Sequence, residues 1–459
     1  MRRTDDGRVL IGGSPLRILR LTAAGVTAIA GLVAGDPVGR APTRQSLARR
    51  LLDGGLAHPR PPAATAPSVA VVIPARDRPA GLAATLAALD SRGVGGPPIL
   101  VVDDGSAGPG TAAVARAGGA VVLRHPDGRG PAAARNTGWQ AADAEIVAFV
   151  DADCVPPPGW LDVLLPHFAD PAVAAVAPRV VADAAPSAPR WLVAYERCRS
   201  PLDRGAAEGP VRPRSRVPFV PAAALLVRRA ALEAVGGFDA DLRVGEDVDL
   251  VWRLAAAGWT VRYAPDVTVT HPVRPDVLAW ARQRVAYGTS AAPLAARHGT
   301  AVAPLTVSAW SAAAWGLAAV RRPVTGLGVA VATTALLGRR LEGLEHPWRE
   351  AGRLGGGGHL GAGRLVADAA RRAWWPLAIA ALGWRRTRPA VAAAFVLPPL
   401  LEWVRERPPL DPLRWTAARI ADDVAYGAGV WAGAWRARSA ACLRPDLASW
   451  PGRRPAVES

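Results

Sequence analysis

Lysine is absent from this 459-residue chain; all 55 basic side chains are arginine, against 38 acidic ones. The net charge of +17 would suit nucleic acid or an anionic surface. The arginines are scattered rather than gathered in a block, however, and the Arg-, Ala-, Gly- and Pro-rich composition is that of high-GC codon usage. Cysteine is scarce: Cys154, Cys198 and Cys442 are far apart and odd in number, which excludes a disulfide-built scaffold and fits a reducing compartment. No apolar stretch directly follows Arg2 and Arg3, so the N-terminus reads poorly as a signal peptide. Polar low-complexity sequence is missing too. Half of the residues are hydrophobic and mean hydropathy is +0.14, which excludes global disorder. Phe and Tyr are few, at five and four, whereas Trp numbers 17, several of them in the C-terminal third. Tryptophan favours membrane interfaces. The length suits two or three domains.

Residues 1–60 read as a small α+β module of winged-helix character. Arg8–Ile11 and Leu16–Leu21 suggest strands around the Gly12-Gly13-Ser14-Pro15 turn. Thr22 can cap a helix with Val26, Ile29, Ala30 and Val33 on one face. Thr43 can cap a second, with Leu47 and Leu51 facing inward. Residues 61–67 form a Pro-rich, semi-rigid linker. From residue 68 to about 300 the pattern is strand, turn, helix. Val69–Ile73, Ile99–Val102, Ala120–Leu123, Ile146–Val150 and Val173–Ala177 are short apolar runs separated by helix-like segments. Such alternation predicts a mostly parallel sheet covered by helices, with ligands at the carboxyl ends of its strands. Residues 301–459 read as an apolar helical region. Ala301–Val320 carries no charge, Arg321-Arg322-Pro323 interrupts, and Val324–Gly338 is again uncharged. The expectation is a re-entrant or interfacial hairpin at the cytoplasmic face of the cell membrane, with a cytoplasmic protein as the alternative.

Three acidic loops carry the chemistry. Asp103-Asp104-Gly105-Ser106 follows a strand, where two carboxylates can accept hydrogen bonds from a nucleobase N–H and a ribose hydroxyl; an ordinary acidic turn is the plainer alternative. Asp151-Ala152-Asp153 follows another strand. In extended chain, residues i and i+2 point to one side, so both carboxylates can face one Mg²⁺ or Mn²⁺ that holds a diphosphate. Gly128-Arg129-Gly130-Pro131-Ala132-Ala133 matches a dinucleotide fingerprint, but at least two strand–helix units precede it, so that reading is rejected. Pro131 suits a helix start, and Arg135-Asn136 can point from that helix at a phosphate or ribose. In Gly245-Glu246-Asp247, one carboxylate can take a proton from an attacking hydroxyl; favourable first-turn charge is the alternative. His271 ends a strand and is a candidate third metal ligand, or a structural histidine.

In this order the motifs resemble the nucleotide-sugar-dependent glycosyltransferases of family 2, over about residues 68–275. The resemblance implies an α/β fold of GT-A type, with uridine held by Pro74, Ala75, Arg76, Asp77, Asp103 and Asp104. It implies a divalent cation and diphosphate at Asp151 and Asp153, and Asp247 of the Glu246-Asp247 pair as the base. The family's Gln-x-x-Arg-Trp motif is not intact; Gln283-Arg284 is a partial echo, which weakens processive polymerisation. The layout is most similar to the mycofactocin-system branch, since residues 1–60 resemble the peptide-binding chaperone domains of peptide-modifying pathways. This implies inverting, metal-dependent transfer of glucose, as a β-1,4-linked chain, from UDP-glucose to a peptide-derived redox cofactor or its precursor. The alternative is a membrane enzyme making a glycolipid or cell-surface polysaccharide. Nucleic acid is not an expected partner, because Arg44, Arg49 and Arg50 offer no base-reading helix beyond Gln45.

Overall fold

The structure, a computed structural model, describes residues 2–4, 6–62, 67–90 and 96–447. Residues 63–66 of the expected linker lie outside the described residues. The chain divides into two compact units, residues 1–188 with 196–274, and residues 189–195 with 275–459.

In the first unit, strands β1 (Arg2–Thr4), β2 (Val9–Gly12) and β3 (Arg17–Arg20) form an antiparallel sheet in that order. Helix α1 (Ala23–Val33) starts at Thr22, whose hydroxyl accepts from the Gly25 N–H. Leu10, Ile29, Leu51 and Leu56 make the small core. Val33, expected inside, is 67% exposed; so small a module buries little of its surface. Helix α2 (Pro42–Asp53) begins one residue before the expected cap Thr43, because Pro42 takes the first helical position, where its fixed φ and missing N–H cost nothing. The Arg49 guanidinium donates to both oxygens of Asp170, at 2.8 and 2.9 Å, and Arg60 clasps Glu208, so the module is docked within this unit.

The main sheet comprises β4 (Val69–Ala75), β5 (Ile99–Asp104), β6 (Val121–His125), β7 (Ile146–Val150), β8 (Val173–Asp183), β9 (Gly209–Pro210), β10 (Ala224–Arg228) and β11 (Thr260–Pro272). Their order is β6-β5-β4-β7-β10-β8-β11-β9. Strands β6, β5, β4 and β7 are parallel, as expected. The sheet as a whole is mixed, because β10 enters between β7 and β8 antiparallel to both. Helices α3 (Pro79–Asp90), α4 (Gly110–Ala117), α5 (Pro131–Ala141), α6 (Trp160–Leu164), α7 (Arg190–Arg199), α8 (Arg229–Val235) and α9 (Glu246–Ala256) connect the strands. Strand β7, Ile-Val-Ala-Phe-Val, is buried throughout, as a central strand with both faces covered must be. The adjacent strands β5, β4 and β7 end on one edge, which gathers the loops after Ala75, Asp104 and Val150.

The second unit is helical: α10 (Val277–Thr289), α11 (Ala291–His298), α12 (Ala309–Ala319), α13 (Pro323–Arg340), α14 (Pro347–Ala351), α15 (Gly357–Arg372), α16 (Trp375–Ala381), α17 (Arg388–Glu406) and α18 (Pro412–Arg436). Here the membrane expectation is corrected. The uncharged run Ala301–Val320 is not one helix. It contains a short strand β12 (Thr306–Val307), paired with β13 (Asp446–Leu447), and then α12 of 11 residues, capped by Ser308. Eleven residues reach only about 16 Å, against the ~30 Å apolar core of a bilayer. Among the described residues, no helix is long and apolar enough to cross a membrane. The interior instead holds buried ion pairs: Arg371 with Asp423 (2.6 Å), Arg419 with Glu402 (2.9 Å) and Arg284 with Asp422 (2.9 Å). Arg284, the partial motif echo, thus ties α10 to α18.

Candidate active site

The loops after β4 and β5 are tied together. Asp77, held at φ 51°, donates its N–H to Ser106 Oγ (2.9 Å), and its own Oδ1 accepts from the Ala107 N–H (2.8 Å). Ser106 N–H donates to Asp103 Oδ1 (3.0 Å). The other carboxylate oxygen of Asp103 is buried, lies 3.3 Å from Arg124 Nη1 and makes no hydrogen bond. Pro74 and Ala75 pair in register with Val102 and Asp103. Arg76 and Asp77 remain about half exposed, at 55% and 52%, and the Arg76 guanidinium lies against Gly128.

Asp104 is used differently from the expectation. Its carboxylate accepts from the N–H groups of Arg129 (2.9 Å) and Gly130 (2.8 Å) and pairs with His125 Nδ1 (2.8 Å). Burial opposes its ionisation, yet the His125 hydrogen bond and the two amides hold the carboxyl below its ordinary range. Asp104 therefore fastens the Gly128-Arg129-Gly130 loop. Gly105 sits at φ 71°, and a Cβ there would come 2.6 Å from the backbone of Asp127 and Gly128. Gly105→Ala is expected to cost about 1–3 kcal/mol through clash and strained φ, read as a lowered urea midpoint. An unchanged midpoint would mean that this loop does not need the close approach.

The end of β7 is a turn rather than extended chain, closed by the Cys154 N–H on the Asp151 carbonyl (3.0 Å). The two carboxylates consequently find different partners. Asp151 accepts from Arg135 Nη2 (2.7 Å). Asp153 accepts from Arg78 Nη1 (3.0 Å) and lies 3.4 Å from His271 Nε2. His271 stands near the end of β11, beside Thr270, whose backbone pairs with Val155.

Arg135 and Asn136, expected to point at a phosphate or ribose, both find partners within the protein. The Arg135 guanidinium is buried, bridges Asp151 and Glu246 Oε1 (2.7 Å), and sits 5.4 Å from the Phe238 ring centroid. Asn136 donates to the Phe238 carbonyl (2.7 Å) and accepts from the Phe238 N–H (2.9 Å) and Trp139 Nε1 (3.0 Å). Asn136 therefore pins the loop before α9.

Helix α9 opens on Gly245 at φ 84°, which turns Glu246 inward and leaves Asp247 partly accessible. Burial, reinforced by the neighbouring Asp247 charge, pushes Glu246 up from 4.5 to about 7 against the pull of Arg135. Asp247 is also raised, first by the surrounding protein and further by the Asp151 charge, with Arg135 opposing. Its oxygens accept from the Val248 N–H (2.8 Å) and, more loosely, from the Ala222 N–H (3.4 Å). A partly open carboxylate raised above its usual range is suited to accept a proton.

Arg78 and His125 were not singled out from the sequence. Arg78 carried a signal: a cation directly before Pro79, at the positive end of α3, is misplaced unless it serves an anion.

Among the described residues, no group of three or more His, Cys, Asp and Glu side chains is placed to hold a metal ion. Asp153 and His271 do converge. A carboxylate and an imidazole suit Mn²⁺, and ions of this class commonly take one or two protein ligands plus substrate phosphates. The donor set fits a cation completed by a diphosphate, not an all-protein cage.

The sequence pattern of the family described as Glycosyl transferase family 2 matches residues 70–236. The chain is 41% identical to the pre-mycofactocin glycosyltransferase of Mycobacterium tuberculosis (strain H37Rv), over 97% of this chain and 96% of that protein. The chain belongs to glycosyltransferase family 2. It is a glycosyltransferase with an α/β fold of GT-A type. It is also 31% identical to glycosyltransferase AglE of Haloferax volcanii, over 46% of this chain and 69% of that one. A solved mannosyltransferase of Pyrobaculum calidifontis, with GDP-Man and Mn²⁺, aligns over 74% of this chain and 96% of its own at 21% identity and a TM-score of 0.40. The family match ends at Gly236, short of Glu246 and Asp247.

Proposed function

We propose that this family 2 enzyme transfers glucose, with inversion, from UDP-glucose to a peptide-derived acceptor in mycofactocin biosynthesis. The observation that carries this reading is the 41% identity to a pre-mycofactocin glycosyltransferase along 97% of the chain. In this reading residues 1–60 are a winged-helix-like module that receives the peptide, and residues 68–300 bind and transfer the sugar. Asp103 offers to a nucleobase N–H its buried oxygen, which carries no hydrogen bond although Arg124 lies 3.3 Å away. Arg76 and Asp77 border the nucleotide, and Pro74 and Ala75 carry its floor.

Asp153 and His271 would hold Mg²⁺ or Mn²⁺, with Asp151 beside them, and the cation supplies countercharge to the departing diphosphate when bound. Asp247 takes the proton of the acceptor hydroxyl as that oxygen attacks the anomeric carbon from the face opposite the diphosphate. Glu246 and Arg135 position Asp247: the guanidinium fixes Glu246 at the start of α9, one residue away.

The test is incubation with UDP-glucose and either a peptide-derived or a polyprenyl-phosphate acceptor, followed by mass spectrometry. Addition of hexose to the peptide-derived acceptor is expected. A second reading, a lipid-linked acceptor, draws on exposed Val324, Leu327 and Leu413 in the helical unit; hexose gained only by the polyprenyl phosphate would favour it and overturn the first.

A further inference from the structure

We propose that Arg78 is a latch on Asp153 that makes cation binding depend on the diphosphate. This rests on the reading that Asp153 and His271 are the cation's protein ligands.

The two ends of the pair differ in freedom. Asp153 is 11% exposed and sits in a turn that the first two turns of α3 grip. The Thr85 hydroxyl donates to the Cys154 carbonyl (2.8 Å). A Cβ on Gly81 would lie 2.8 Å from the Ala152 carbonyl oxygen and 3.3 Å from Asp153 Cβ, so only glycine lets helix and turn approach this closely. The Arg78 backbone is equally fixed, because its carbonyl accepts the Leu82 N–H as the first bond of the helix (3.0 Å). Its guanidinium, in contrast, is half exposed and donates to Asp153 Oδ2 at 3.0 Å. A long side chain on a fixed stem can exchange one anion for another at little cost in backbone strain.

The charges make that exchange consequential. Asp153 Oδ1 faces His271 Nε2, and Oδ2 is already taken by a full positive charge. A divalent cation entering between Asp153 and His271 would have to displace that guanidinium or sit beside it. Neighbouring Asp151 is likewise engaged, with its Oδ1 held by Arg135 at 2.7 Å. An incoming diphosphate changes the balance. It offers Arg78 a doubly charged partner at the mouth of the site, and guanidinium–phosphate pairs are strong and bidentate. Arg78 then leaves Asp153 free for the cation. Arg78 is thus a positioning residue, and its effect is thermodynamic coupling between two ligands, which must be reciprocal.

The experiment is calorimetric titration of the full-length protein with Mn²⁺, with UDP, and with each in the presence of the other. Wild type is expected to bind Mn²⁺ weakly without UDP and more tightly with it. Arg78→Gln is expected to raise Mn²⁺ affinity without UDP by about tenfold, the scale of losing one partly screened like charge nearby, and to shrink the coupling by the same factor. Arg78→Lys keeps the charge and should keep most of the coupling, which separates the latch from a folding defect. If Asp153→Asn abolishes Mn²⁺ binding while Arg78→Gln leaves affinity and coupling at wild-type values, the latch is wrong and the metal ligand stands. If Asp153→Asn binds Mn²⁺ like wild type, the ligand assignment itself is wrong, and the latch falls with it.

Discussion

Replacing Asp247 with asparagine is expected to lower turnover by about 10²–10⁴-fold, the usual worth of a general base, while leaving UDP-sugar affinity nearly unchanged. Asp247 stands in the first turn of α9, its carboxylate accepting from two backbone N–H groups. Asparagine preserves the shape and its single oxygen can still accept the shorter bond, from the Val248 N–H, but it cannot take a proton. The pH profile gives a second reading of the same residue. Burial and the nearby Asp151 charge raise the Asp247 carboxyl, so its active, ionised form is gained at higher pH than for an ordinary aspartate. Turnover should therefore rise with pH on a limb displaced upward from the usual carboxylate range. The Asp247 charge in turn raises the cost of charging Glu246. Rapid-quench turnover and UDP calorimetry check both statements. If affinity fell as far as turnover in Asp247→Asn, the residue would be a ligand or a structural support instead.

How much of this was readable beforehand follows from what kind of force fixes each feature. Strand β7, Ile146–Val150, was legible to the residue because five consecutive apolar side chains between turns have few other fates. The acids at the ends of β5 and β7 were legible for the same reason, since they begin where the apolar run stops, although Asp103 and Asp104, expected after the strand, are its last two residues. The partners of those acids were not. Asp104 fastens Arg129 and Gly130, 25 and 26 residues away, and Arg135 reaches Glu246, 111 residues away. Such pairings depend on which strands lie side by side, and the insertion of β10 between β7 and β8 has no local signature. The extended reading of Asp151-Ala152-Asp153 failed because a single hydrogen bond, Cys154 N–H to the Asp151 carbonyl, is enough to turn the chain. The membrane reading of Ala301–Val320 counted apolar residues without weighing Pro304 and Ser308, which divide the run into strand and short helix.

Arg135→Met is expected to destabilise the protein by about 3–5 kcal/mol at pH 8, the cost of breaking a buried ion pair from one side. Arg135 is the cation between two carboxylates: it donates at 2.7 Å to Asp151 and at 2.7 Å to the buried Glu246. Methionine can still pack near Phe238, which itself stacks edge-on against Phe149 with centroids 5.1 Å apart, so the lost volume is not the main effect. The charge left behind is. Asp151 is partly accessible and can recover some hydration, whereas Glu246 cannot. This gives the penalty a pH dependence of definite sign. Glu246 already ionises near 7 in the folded protein, against 4.5 for an ordinary glutamate. A carboxyl raised on folding favours the native state fully below 4.5, and that contribution is lost as pH climbs from 4.5 to about 7. Without Arg135 the folded value moves higher still, because the guanidinium that pulls it down has gone. At pH 5 the variant's Glu246 is therefore protonated and neutral, and little is left unpaired. At pH 8 it must either ionise without a partner or hold its proton against solvent. Urea midpoints of wild type and variant at pH 5 and pH 8 measure this, with the larger gap expected at pH 8. Adding Glu246→Gln to Arg135→Met should close most of that extra gap, because the second change removes the stranded charge. Equal losses at both pH values, or no recovery in the double variant, would mean that Arg135 supports the fold through packing and that Glu246 is not held by its charge.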